Sequence, residues 1–175
     1  MKNSQTRDLA MGGLIAALYV VLTFLAQALG LASGAIQVRI SESLCLLPCL
    51  MPGAVPGLAV GCMLANLLTG CAPWDVVFGS LATLIGAVGT RLMRKKPMLS
   101  WIPPVLSNTL IVPLVLMRVY GVGAEGVLPW LAGLPGGLYL PLAIQIFIGE
   151  MISVVLLGIP VLKAVERGLK APAMS

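Results

Sequence analysis

With 175 residues, 59% of them hydrophobic and only 10% charged, and a mean hydropathy of +1.04, the chain is too apolar to face water all round. Soluble domains carry about 25% charged residues. The apolar runs are continuous and do not alternate, which excludes a porin-like barrel and leaves an all-α integral membrane protein, a single transmembrane domain over 1–175.

In chain order, the first apolar run covers about 9–29, and roughly 20 residues rising about 1.5 Å each cross a hydrocarbon core of about 30 Å. Ala26-Gln27-Ala28 imitates a signal-peptidase site. The run exceeds the roughly 7–15 apolar residues of a signal peptide, so it is read as a retained helix. A short second helix over about 43–51 carries Pro48, and "MPGAVPG" then turns the chain into a third, about 55–68. "TGCAPWD" leads to a fourth over about 76–93, which "RKKP" ends. The fifth, about 99–117, meets Pro103 and Pro104 early; a glycine-rich stretch, Tyr120–Gly137, precedes a long sixth over about 138–165. Membrane helices tolerate such glycine and proline because neighbouring groups re-satisfy the freed backbone.

Basic residues test that count. Placing the N-terminus inside puts Lys2, Arg7, Arg91, Arg94, Lys95, Lys96, Lys163, Arg167 and Lys170 on the cytoplasmic side, leaving Arg39 and Arg118 outside. The bias follows the positive-inside rule and requires an even number of spans. Six helices with both termini cytoplasmic is the expectation. The net charge of +5 then serves topology and anionic lipid, and no nucleic-acid partner is needed.

Polar residues gather toward the outer half of that bundle. "IQVRISESLCLLP" supplies Gln37, Arg39 and Glu42 as a polar loop; Asn66, Trp74, Asp75 and Tyr139 lie at the outer ends of helices; Asn108, Gln145 and Glu150 lie deeper. An ionised side chain at a helix centre costs about 2.5–3.5 kcal/mol on insertion scales, so such residues point to function. Each also has a plain structural role: Trp74 and Tyr139 as interfacial belt, the asparagines as interhelical bonds, Arg39 and Glu42 as a local pair, Asp75 as a helix cap. Taken together they outline a pocket for a polar molecule arriving from outside. Low on the first helix, Gly12, Gly13, Ala16 and Ala17 form small-xxx-small pairs that admit a close helix neighbour, inside the bundle or beyond it. With no histidine and no CxxC pair, Cys45, Cys49, Cys62 and Cys71 are expected to be small buried residues, with no metal and no cofactor.

The segments "QVRISESLCLLPCLMPGAVPGLAVGCMLANLL", "WDVVFGSLATLIGA", "PPVLSNTLIV" and "GEMISVVLLG" resemble the QueT family, substrate-binding S components of energy-coupling factor (ECF) transporters assigned to queuosine precursors. The likeness runs from about Leu9 to Val165. It implies a six-helix S-component fold in the bacterial cytoplasmic membrane, an outer ligand site partly roofed by the first loop, and no enzymatic activity of its own. It also implies a partner module of one transmembrane T subunit and two ATPases, whose turnover rotates the S subunit. Gly12, Gly13, Ala16 and Ala17 occupy the docking place for the T subunit, with glycines supplying half of the family's AxxxA pattern. Pro113 departs from the smaller residue expected there.

The implied ligand is a 7-deazaguanine such as 7-aminomethyl-7-deazaguanine or queuine. Its N1–H and 2-amino edge suits a carboxylate (Glu42 favoured, with Asp75 and Glu150 as the others), its 6-carbonyl suits Arg39, Gln37, Asn66 or Asn108, and its ring suits Trp74 or Tyr139. Competing readings are an S component for another vitamin-like substrate, a standalone proton-coupled carrier using Glu150, and an intramembrane enzyme using these acids.

Overall fold

The computed structural model describes residues 2–31, 36–122, 127–128, 131 and 137–170, with side chains from Gln5 onward; most of the glycine-rich stretch after Tyr120 lies outside the described residues. Among the described residues the regular elements are all helical, with no strand. They are α1 (Lys2–Ala28), a 3₁₀ helix (Ile40–Cys49), α2 (Ala54–Leu68), α3 (Pro73–Leu92), α4 (Ile102–Arg118) and α5 (Tyr139–Glu150). α5 continues through a π-helical stretch (Met151–Leu157) into α6 (Gly158–Lys170). Among the described residues, four stretches are long and apolar enough to cross a membrane: Gln5–Ala28, Pro73–Lys95, Pro97–Arg118 and Tyr139–Lys170. α2, with 15 residues, rises only about 22 Å, short of the roughly 30 Å hydrocarbon core.

Prolines mark the joints. Pro73 opens α3, and Pro103 and Pro104 lie in the first turn of α4, where backbone N–H groups have no intrahelical partner to lose. Pro113 is different: it lies inside α4 and denies the Thr109 carbonyl its helical donor, yet the helix continues to Arg118. In the last helix the π stretch ends just before Pro160. The wide turns run through the place where that proline withdraws the donor for Leu156.

The short second element starts at Ile40, so Ser41, Glu42 and Ser43 belong to a helix and not to a surface loop. Ser41 through Pro48 are all buried. α1, α2, α3, α6 and the π stretch all touch this element, so it stands at the centre of the bundle. Leu44, Cys45, Leu47 and Met51 pack with Ile15, Tyr19 and Leu58, while Leu46 packs with Val105, Val154 and Leu162.

α1 and α2 run in the same direction at backbone contact. A Cβ on Gly57 would sit 2.5 Å from the Gly12 carbonyl oxygen, and one on Gly61 would sit 2.9 Å from Ala16 Cα. Gly13, one position on, has nothing within 4 Å of its missing Cβ. Gly57→Ala should therefore force the helices apart and destabilise the protein by about 1–3 kcal/mol, the usual cost of overpacking. Gly13→Ala should leave the thermal melt in detergent unchanged, and equal melting of both variants would refute this packing.

Candidate functional site

At the end of the bundle where α1, α2 and α4 finish and α3 begins, a cavity of about 310 Å³ opens. Its polar wall comes from Thr23 and Gln27 of α1, Gln37, Arg39 and Ser41 around the start of the 3₁₀ helix, Asn66 and Thr69 of α2, and Asp75 of α3. Val112 and Leu116 of α4, with Ala26 and Val122, supply an apolar wall, and Tyr120 completes the rim.

Local sequence explains how the polar wall is held. Asp75 lies in the first turn of α3, two residues after the proline that opens it, where a carboxylate complements the helix dipole. Its Oδ2 accepts a 3.0 Å bond from the Tyr120 hydroxyl, which in turn accepts a 3.1 Å bond from Ala72 N–H. Partial burial pushes the Tyr120 phenol up to about 12; the Ala72 N–H pulls it down and the Asp75 carboxylate raises it. The phenol therefore stays protonated at neutral pH and goes on donating to Asp75. Asn66 Nδ2 lies 3.4 Å from the Asp75 carbonyl, and the absent side chain of Gly79 leaves the room in which Asn66 and Asp75 sit. Arg39 lies in the field of both Glu42 and Asp75, but its guanidinium makes no hydrogen bond or ion pair among the described residues. An unpaired guanidinium lining a polar cavity is a donor set awaiting an acceptor.

One layer below lies a second group of polar residues. Glu42 is fully buried, and its two oxygens are occupied: the Tyr19 hydroxyl donates to Oε1 and the Cys45 thiol donates to Oε2 at 2.8 Å. Glu150 and Asn108 are 5% and 1% exposed. Asn108 is near enough to act on the Glu150 carboxyl, but no bond of normal geometry joins them; Glu150 Oε2 and both Asn108 amide atoms are without a partner. Gly149 lets α5 press onto this region, since a Cβ there would collide with the Gln37 carbonyl.

Of the ten residues read from sequence as ligand contacts, Gln37, Arg39, Asn66 and Asp75 line the cavity together. Glu42, Asn108 and Glu150 are buried and do not line it. Gln145 is buried with its Oε1 accepting a 2.7 Å bond from Leu128 N–H, and the Tyr139 hydroxyl donates to the Leu110 carbonyl. Trp74 is 61% exposed and stacks on Phe78 at the edge of an apolar groove formed with α4, away from the cavity. Along α1, Gly12 and Ala16 are taken up by contact with α2, whereas Gly13 and Ala17 face outward. Sequence reasoning passed over Tyr19 and Tyr120, and it read Cys45 as a small buried residue without its bond to Glu42. A tyrosine in the middle of an apolar span, in a chain with three tyrosines, was the available signal for Tyr19.

Tyr19→Phe should leave a buried carboxylate oxygen without its donor and lower stability by about 1–3 kcal/mol. Thermal unfolding in detergent reads this, and an unchanged melt would show that the bond does not hold Glu42.

The profile described as QueT transporter matches residues 9–167. The queuosine precursor transporter QueT of Lactococcus lactis subsp. cremoris (strain MG1363) is 36% identical over 86 residues, 49% of this chain and 50% of that protein. The chain thus matches about half the length of this curated relative. No solved structure matches. The chain belongs to the QueT transporter family.

Proposed function

We propose that this member of the QueT transporter family is the substrate-binding S component of an ECF importer, capturing a queuosine precursor in the cavity between α1, α2, α3 and α4. The observation that carries this reading is the unpaired Arg39 guanidinium sharing one cavity with the Asp75 carboxylate. A guanine offers an arginine both O6 and N7. A 7-deazaguanine lacks the N7 acceptor, leaving O6 for Arg39, while its N1–H and 2-amino group present two parallel donors to a carboxylate. Asp75 suits that edge better than Glu42, because Asp75 lines the cavity and the oxygens of Glu42 are already bonded. The volume, about 310 Å³, is at the small end of the roughly 300–1,000 Å³ of ligand pockets and suits a bicyclic base.

The proposed topology has six membrane passes, the 3₁₀ helix and α2 being the two short ones. Contacts support a shared cytoplasmic end. Asp8 of α1 lies against Gly53, Arg91 reaches Pro48 and Cys49, and Leu162 packs on Leu46, so the basic ends of α1, α3 and α6 gather on one side. In this reading the chain is not an enzyme: ATP is hydrolysed by two partner subunits, and the T subunit docks on the outward face of α1, at Gly13 and Ala17. The membrane is the bacterial cytoplasmic membrane.

Two measurements test the reading. Purified protein should bind 7-aminomethyl-7-deazaguanine at least about tenfold more tightly than its analogue lacking the 2-amino group, equivalent to about 1.4 kcal/mol. Asp75→Asn should erase that preference, and its survival in this variant would remove Asp75 from the role. Separately, Gly13→Leu combined with Ala17→Leu should abolish uptake in cells carrying the ATPase module while leaving ligand titration intact. Full uptake in membranes lacking that module would replace the S-component reading with a standalone carrier.

A further inference from the structure

The apolar groove beside Trp74 has no part in the ligand cavity, and its shape follows from how α3 and α4 pack. At the ends away from that cavity the two helices touch at the backbone. A Cβ on Gly86 would sit 2.7 Å from Pro104 Cα, and one on Gly89 would collide with the Pro103 ring. At the end where the cavity opens, the remaining glycine of α3, Gly79, faces Asn66 of α2 instead. There α3 and α4 leave between them a groove of about 680 Å³, larger than the ligand cavity.

Two stripes at helical spacing line it: Trp74, Phe78 and Leu81 on α3, and Ile111, Leu114 and Arg118 on α4. The rings of Trp74 and Phe78 stack with centroids 6.0 Å apart and make one wall. Trp74 to Leu81 spans about 10 Å along the helix. Trp74, Phe78, Leu81 and Leu114 are all exposed, so the groove opens on the outside of the bundle, where an apolar surface meets lipid tails. Arg118 is the one charged residue among those lining it. It is exposed in the last turn of α4 and makes no hydrogen bond or ion pair among the described residues. Trp74 opens α3 at that same end, and tryptophan favours the headgroup level of a bilayer.

An apolar slot at membrane depth with a cation at its headgroup end fits a molecule that joins a hydrocarbon chain to an anion. We propose that this groove binds an anionic phospholipid of the bilayer, its acyl chain against Phe78, Leu81, Ile111 and Leu114 and its phosphate on Arg118. The guanidinium fork matches two phosphate oxygens. A second protein helix could fill the slot, but it would have to bring a carboxylate of its own to Arg118, whereas the lipid carries both parts. The site lies back to back with the ligand cavity: Asp75 and Leu116 face the cavity, and their neighbours Trp74 and Val115 face the groove. A bound lipid therefore bridges α3 and α4, whichever ligand the cavity takes.

Trp74 itself serves as the reporter. In the full chain carrying Trp101→Phe and Trp130→Phe, Trp74 is the remaining indole, and brominated lipids quench an indole only on close approach. In phosphatidylcholine nanodiscs, brominated phosphatidylglycerol should quench Trp74 at about fivefold lower mole fraction than brominated phosphatidylcholine, the effect of one basic side chain near a charged surface. Arg118→Gln should bring the two lipids level. Equal quenching before that substitution, or a preference that survives it, would overturn the inference. Native mass spectrometry gives a second reading that leaves all three tryptophans in place. There Arg118→Gln should retain one phosphatidylglycerol fewer than the wild type. Unchanged retention would overturn the inference, and a dimer in place of the lipid-bound monomer would give the groove to a second copy of the chain.

Discussion

A ten-residue 3₁₀ helix carrying a carboxylic acid stands in the middle of an apolar bundle, and everything around it is arranged to make that tolerable. Buried polar groups without partners cost several kcal/mol in such surroundings, and lipid offers none. At one end, Tyr19 from α1 and Cys45 from the next turn occupy the two oxygens of Glu42. At the other, Arg91 from α3 donates to the Pro48 carbonyl at 3.0 Å and to that of Cys49 at 3.4 Å, covering carbonyls that a helix end leaves open. Donors from two neighbouring helices thus fix the height and rotation of the central element. Because Arg39 and Ser41 lie at its upper end, the same bonds fix the floor of the cavity.

Helices in lipid gain little from the hydrophobic effect when they meet, so close backbone approach has to supply the packing energy. The chain provides it where the cavity needs a rigid frame. Gly12, Gly57 and Gly61 bring α1 and α2 together below the cavity, and Gly149 and Gly158 bring the last helix onto Gln37 and Ser43. The π stretch between those two glycines alters the winding of the helix just where it crosses the central element. It is also where Pro160 relieves the helix of one bond, so a single irregularity serves both needs.

Much of this was legible in the sequence and some was not, for geometric reasons. Continuous apolar runs and proline-bearing turns gave the membrane class and the approximate helices, because hydropathy and backbone restrictions are local. The meeting of Gln37, Arg39, Asn66 and Asp75 was legible as well, since the turns of the chain bring all four to the same end of the bundle. Facing was not. Trp74 and Asp75 are adjacent on α3, about 100° apart around the axis, and here the carboxylate enters the cavity while the indole faces outward. The same step separates Gly12, buried against α2, from Gly13, which faces outward. Glu42 was placed on an outer lid because a polar run between apolar segments looks like a loop; winding it as 3₁₀ from Ile40 turns it inward to Tyr19.

The arrangement also bears on how binding at one end of the bundle is connected to its other end. α1 is an unbroken rod of 27 residues. Thr23 and Ala26 line the cavity, Tyr19 holds Glu42, and Gly12 and Ala16 clasp α2, while Gly13 and Ala17 on its other side are exposed. No glycine or proline interrupts it between Gly13 and Ala28. The outward face is therefore tied to the cavity through a stiff element and through the bonded central helix. A local gate would need a soft joint in that path. A partner pushing on the Gly13 and Ala17 face would instead move the cavity and α1 together, which suits the proposed importer, in which the whole subunit turns in the membrane.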